Sequence, residues 1–174
     1  MARDIKFLVK DIKDATVNAA RQASVEIMNG LVAAGPGYTG EFSSAWYAVE
    51  KGQSPGGPRS SNGLYKYDLR NVPKTRFQSG GTWYEIVNGA PHAAEAMDLI
   101  PYTYEDFDEQ DPVKDQKRGL RPQGATRGDL RGKGPNTSTA PVDWWPTYNV
   151  GGALNRDLAN GVRRGFGKAR GFGK

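Results

Sequence analysis

Over residues 1–31 the apolar positions recur at intervals of three and four: Ile5, Leu8, Ile12, Ala15, Ala19, Ala23, Ile27 and Leu31. That spacing puts them on one stripe of an α-helix. It predicts a long first helix, with Lys6, Lys10, Lys13, Asp14, Arg21 and Glu26 mostly off the stripe. Much of the stripe is alanine, which lets another element approach closely there. Gly30 and the run Ala34-Gly35-Pro36-Gly37 supply the stop signal, since glycine weakens a helix and proline cannot extend one.

Beyond this point the period changes to two. From Glu41 to Lys51, Phe42, Ser44, Trp46 and Ala48 alternate with Ser43, Ala45, Tyr47 and Val49, which predicts a strand. Residues 52–63 are so rich in Gly, Pro and Ser that they predict a loop. Leu64 to Leu69 fits either a short strand or an ordered loop, and Thr75 to Gln78 fits another short strand. Thr82 to Val87 is the densest aromatic and β-branched run and ends at Asn88-Gly89, a strong turn signal. Ala90 to Asp98 predicts a short helix begun at Pro91. A long charged loop spans 99–140, and an aromatic cluster spans Pro141 to Tyr148. A second helix is expected over Gly151 to Phe166, with Leu154, Leu158, Val162 and Phe166 four apart. Gly165-Phe166-Gly167-Lys168 recurs as Gly171-Phe172-Gly173-Lys174, a local duplication. One domain results: helix 1–31, sheet region 41–98, charged loop 99–140, aromatic segment and helix 141–166, and basic tail 167–174.

Composition narrows the function. The chain of 174 residues has no cysteine, which excludes disulfides and thiolate metal sites and fits a reducing cytoplasm. No apolar run approaches the roughly 20 residues of a membrane span. The charged N-terminus, MARDIKFLVKDIKD, does not read as a secretory signal. The net charge is only +5, which permits nucleic-acid contact without demanding it. In the long loop, Glu105, Asp106, Asp108, Glu109 and Asp111 precede Lys114, Lys117, Arg118, Arg121, Arg127, Arg131 and Lys133. Such opposite blocks pair within a chain or between neighbouring copies of a head-to-tail ring.

Candidate chemistry is sparse. His92 is the only histidine, stands near no nucleophile motif, and reads as a packing or hydrogen-bonding residue. No phosphate-binding loop is present. The acidic run EDFDEQD lacks the central Gly and the terminal Glu of a calcium loop. The residues therefore predict no catalytic group, no cofactor and no metal. Arg163, Arg164, Lys168 and Arg170, interleaved with Phe166 and Phe172, suit either nucleic acid or a solvated tail and subunit interface. Trp144 and Trp145 suit either an interface anchor or a cap on the chain's own core.

The order of these elements resembles the neck and tail-completion proteins of long-tailed bacteriophages. Thr39-Gly40-Glu41-Phe42 resembles the start of that family's first strand. Ile86-Val87-Asn88-Gly89-Ala90-Pro91-His92-Ala93 followed by Glu95 resembles a later strand and its proline segment, with His92 where tyrosine is usual and no Gly after Glu95. Trp145-Pro146 ahead of Leu154 resembles the proline-aromatic entry to the last helix. The resemblance covers residues 1–100 and 141–166. It implies an α+β fold, with an N-terminal and a C-terminal helix packed on a small, mostly antiparallel sheet. It implies a homo-oligomeric ring, a hexamer ahead of a dodecamer, assembled in the host cytoplasm and sited in the virion neck, with no membrane. Its partners would be the adjoining connector or adaptor and tail proteins, with non-specific contact to packaged DNA. Arg163, Arg164, Lys168 and Arg170 become candidates for the channel wall or for ring docking, and Trp144, Trp145, Glu105, Asp106, Asp108, Arg118 and Arg121 for interfaces. A tail terminator is the sister reading, and a stand-alone basic nucleic-acid-binding protein is the other alternative.

Overall fold

The computed structural model describes residues 5–36, 40–59, 64–77, 80–81, 84–91, 93–97 and 144–167. In chain order these form α1 (Ile5–Ala34), a short α2 (Glu41–Ser44), β1 (Trp46–Glu50), a 3-10 turn (Leu69–Asn71), β2 (Tyr84–Asn88), α3 (Ala93–Ala96), α4 (Trp144–Val150) and α5 (Ala153–Gly167). The protein is α+β: helices packed with a two-stranded antiparallel sheet in which Trp46 faces Asn88 and Glu50 faces Tyr84.

α1 runs straight through Gly30, past the expected end at residue 31. Gly30 belongs inside the helix because Tyr148 and Asp157 lie against its bare face, where a Cβ would collide with both side chains. The Tyr148 hydroxyl sits 3.2 Å from the Ile27 carbonyl and 3.0 Å from Asp157 Oδ2. Arg21 is also buried, contrary to its place off the stripe. Its Nη2 donates to the carbonyls of Leu69 at 2.6 Å and Val72 at 2.9 Å, fastening the 3-10 turn to the helix.

The expected strand over Glu41 to Lys51 is half helix. Gly40, with φ of 77°, turns the chain into one helical turn, a conformation glycine adopts without steric cost. The Ser43 and Ser44 hydroxyls then donate to the carbonyls of Gly40 and Glu41, satisfying the backbone locally where a strand would leave it open. Pairing begins only at Trp46. Leu64 to Leu69 is an ordered loop because side chains take its hydrogen bonds. Asn29 accepts from Tyr67 N at 2.8 Å and donates to Tyr67 O at 3.0 Å, and Ser43 Oγ accepts from Tyr65 N. Asp68 and Asn71 close the following turn with a reciprocal capping box. Thr75 to Phe77, the described part of the other expected strand, joins no sheet.

The core gathers where α1, the sheet and α4 meet, around Met28, Trp46, Tyr67 and Val72. Phe42 stands edge-on to Trp46 at 5.5 Å and to Trp144 at 5.9 Å, while Trp145 stacks on Trp46 at 6.2 Å. These offset and edge contacts are the favoured aromatic geometries. The start of β1 is covered by the loop that follows it: Arg59 donates to the carbonyls of Ser44 and Trp46 while lying over the Tyr47 ring.

α5 packs antiparallel along α1. Its contact face is Gly161 and Gly165, set so closely against Ala23 and Ala19 that a Cβ on either glycine would overlap the facing backbone. The alanines of the α1 stripe are thus the seat of the second helix. The stripe expected on α5 does not line this contact. Four-residue spacing turns about 40° per step on a helix of 3.6 residues per turn, so Leu154 reaches the core while Leu158 and Phe166 rotate out and are 43% and 39% exposed.

Candidate assembly surface

α1 is 30 residues long and α5 is 15, about 45 Å against about 22 Å at 1.5 Å per residue. α5 meets α1 from Gly30 to Ala19. The first turns of α1 therefore extend beyond their partner helix, and they carry its largest apolar side chains. Ile5 is 72% exposed, Phe7 56%, Leu8 and Val9 47%, and Ile12 45%. Ile5, Leu8 and Ile12 share a face with Ala15, Ala19 and Ala23 by helical spacing, so one stripe is covered over its alanine half and open over its bulky half. Scattered exposed apolar residues are ordinary, whereas a contiguous group on one element marks a surface that meets something.

The sequence-predicted site residues divide around this surface. Trp144 belongs to the chain's own core: it is 2% exposed, and its indole N–H donates to the Ala96 carbonyl at 3.1 Å. The interface reading of Trp144 is corrected accordingly, and partly buried Trp145 is committed to Trp46. Arg164 is an internal strap, its guanidinium paired with Glu26 across the two helices. Arg163, the neighbouring channel candidate, is exposed on α5. Lys168, Arg170, Glu105, Asp106, Asp108, Arg118, Arg121 and His92 lie outside the described residues. The open apolar turns of α1 are the group that sequence reasoning assigned to the core. The signal was present in the lengths, because a helix ending near Phe166 is too short to cover the whole stripe.

Electrostatics near the α1–α5 contact are structural. Burial holds the Tyr148 phenol well above its ordinary value, with the Asp157 carboxylate adding to the rise. Burial does the same for Tyr67, against the lowering effect of the Trp46 N–H and of Arg59. Exposed Asp68 is held low by its hydrogen bonds from Arg70. Among the described residues no group of three or more His, Asp or Glu could hold a metal ion, and no helix is long and apolar enough to cross a membrane. The arrangement offers an adhesive helical face in place of a reaction centre. Compared with known proteins, the chain matches no family model, no curated protein and no solved structure.

Proposed function

We propose that this chain is a structural subunit of the neck of a tailed bacteriophage, forming a ring that joins the head connector to the tail. The observation that carries the reading is the open apolar half of the α1 stripe, five large side chains on three turns beyond the reach of α5. In a ring these turns seat against the next copy of the same chain, continuing the face on which α5 already packs. Head-to-tail contacts of this heterologous kind close into rings when the rotation allows it. Many modest contacts repeated around such a ring hold a joint that one subunit would not. The resemblance of residues 1–100 and 141–166 to neck and tail-completion proteins gives the same direction, with a hexamer ahead of a dodecamer.

The test is negative-stain electron microscopy of particles produced when this chain is withheld. DNA-filled heads lying beside separate, finished tails are the expected result. Tails of irregular and excessive length would replace the neck assignment by the tail-terminator one. Normal virions would end the phage reading.

A further inference from the structure

A second face of α1, roughly opposite α5, forms one wall of an open groove of about 690 Å³, and residues 74–77 form the other. Lys6, Lys10 and Lys13 line it from the helix, Lys74 and Arg76 from the facing segment, and Arg21 from the buried end. Asp14 is the one acidic residue among the described residues of the lining. Lys6, Lys10 and Lys13 stand at i, i+4 and i+7, so they rise along one side of the helix over about 10 Å. Like charges stacked this way cost helix stability, and the facing segment brings two more cations in place of carboxylates.

Arg21 makes the groove more than a solvated basic face. It is 8% exposed, its Nη2 is held by two backbone carbonyls, and its buried Nε has no hydrogen-bond partner. Among the described residues no carboxylate pairs with it. A buried guanidinium without a counter-ion projects its field along the low-dielectric wall toward the opening. An anion in the groove would supply the missing partner. One aromatic side chain, Phe77, borders the groove, 37% exposed and already 5.6 Å from the Lys13 ammonium. Binding a single strand calls for successive stacking rings, and this groove has one.

We infer that the groove binds the phosphodiester backbone of duplex DNA, independently of base sequence. Lys10, Lys13, Lys74 and Arg76 contact phosphates, and Arg21 sets the potential of the site from behind. The site is separate from the apolar α1 stripe and from the α5 arginines, and it does not depend on the neck reading: it is measured on the isolated chain in solution.

The experiment is fluorescence anisotropy of the full chain with a random-sequence duplex, repeated over a salt series. The wild type is expected to bind with an affinity that falls steeply, a log–log slope near −4 for about four phosphates at roughly −0.9 each. Lys10→Glu combined with Lys74→Glu should weaken binding more than tenfold and reduce the slope by about two. Both side chains are exposed, and circular dichroism checks that the fold is kept. Arg163→Glu, exposed on α5 and away from the groove, should leave both quantities unchanged. Inorganic phosphate should compete no better than its ionic strength predicts. No duplex binding by the wild type, or equal binding by the double variant, overturns the inference. So does an equal loss with Arg163→Glu, which would move the site to α5. A double variant that loses self-association while the wild type ignores DNA would instead assign the groove to an acidic segment of another copy.

Discussion

Arg59 illustrates how one side chain closes a sheet edge. The loop after β1 returns it so that its guanidinium lies 3.8 Å from the Tyr47 ring centroid and donates at 2.9 and 2.8 Å to the carbonyls of Ser44 and Trp46. Unpaired edge groups invite pairing with another chain, and here a cation takes them. Arg59→Leu should cost about 3 kcal/mol in denaturant unfolding, given charge-assisted bonds of about 1.5–3 kcal/mol each and losses that do not add fully. Arg59→Lys should recover less than half of this, since an ammonium cannot present the planar fork. Equal stability of Arg59→Leu and wild type would remove the arginine from the edge. Tyr67 and Tyr148 make a second residue-scale prediction. Burial raises both phenols above the ordinary 10.0, so the folded chain holds these protons more tightly than the unfolded chain. The stability they contribute is complete below pH 10 and is lost as pH climbs beyond it, because the unfolded state ionises first. Absorbance at 295 nm should show these two of the eight tyrosines ionising only as the protein unfolds. Tyr148→Phe should make the alkaline loss of stability shallower. Smooth ionisation of all eight near pH 10 without unfolding would contradict the assignment.

The α1–α5 contact sets helix propensity against packing, and the two give opposite signs for one substitution. Gly→Ala inside a helix gains about 1 kcal/mol by propensity. At Gly161 the new methyl would overlap the Ala23 backbone, and overpacking costs about 1–3 kcal/mol. Gly161→Ala should therefore lower the melting temperature by several degrees, at about 2–4 °C per kcal/mol for a chain of this size. Gly167→Ala, with open space where its Cβ would sit, should leave it unchanged or raised. If Gly161→Ala stabilised the protein, the helices would have to lie farther apart than described. The alanine half of this contact was legible in the sequence, as Ala15, Ala19 and Ala23 at four-residue spacing. The glycine half was not, because Leu154, Leu158, Val162 and Phe166 made a louder pattern whose drift around the helix passes unnoticed in a linear reading. The same holds for Glu41 to Ser44. Alternation of Phe42, Ser44 and Trp46 looks like a strand, but the outcome turned on Gly40 and on two serine hydroxyls that return to the backbone. β2, by contrast, lies where its aromatic and β-branched run put it, since both faces of that segment are partly covered.

At the scale of the molecule, the deciding feature is a mismatch of lengths that leaves a packed body with a projecting helix. The helix was readable from its period. Its uncovered half was not, because a stripe reports that a face is apolar and is silent on whether the cover comes from the same chain. Two physical accounts of Ile5, Leu8 and Ile12 therefore remain opposed, and one variant separates them. Were they core residues, Leu8→Asp with Ile12→Asp would cost several kcal/mol, as buried charges do. With both side chains nearly half exposed, the loss should stay within about 1 kcal/mol, leaving the melting temperature within a few degrees of wild type. Self-association should respond strongly instead. The wild type is expected to show a concentration-dependent ring population in mass photometry and sedimentation velocity, and the double variant a monomer at every concentration tested. Because the seam is apolar, raising salt should not dissolve the ring, whereas a ring held by the acidic and basic blocks of residues 105–133 would weaken with screening. A wild type that stays monomeric at all concentrations would leave the α1 stripe without its neighbour and take the ring proposal down with it.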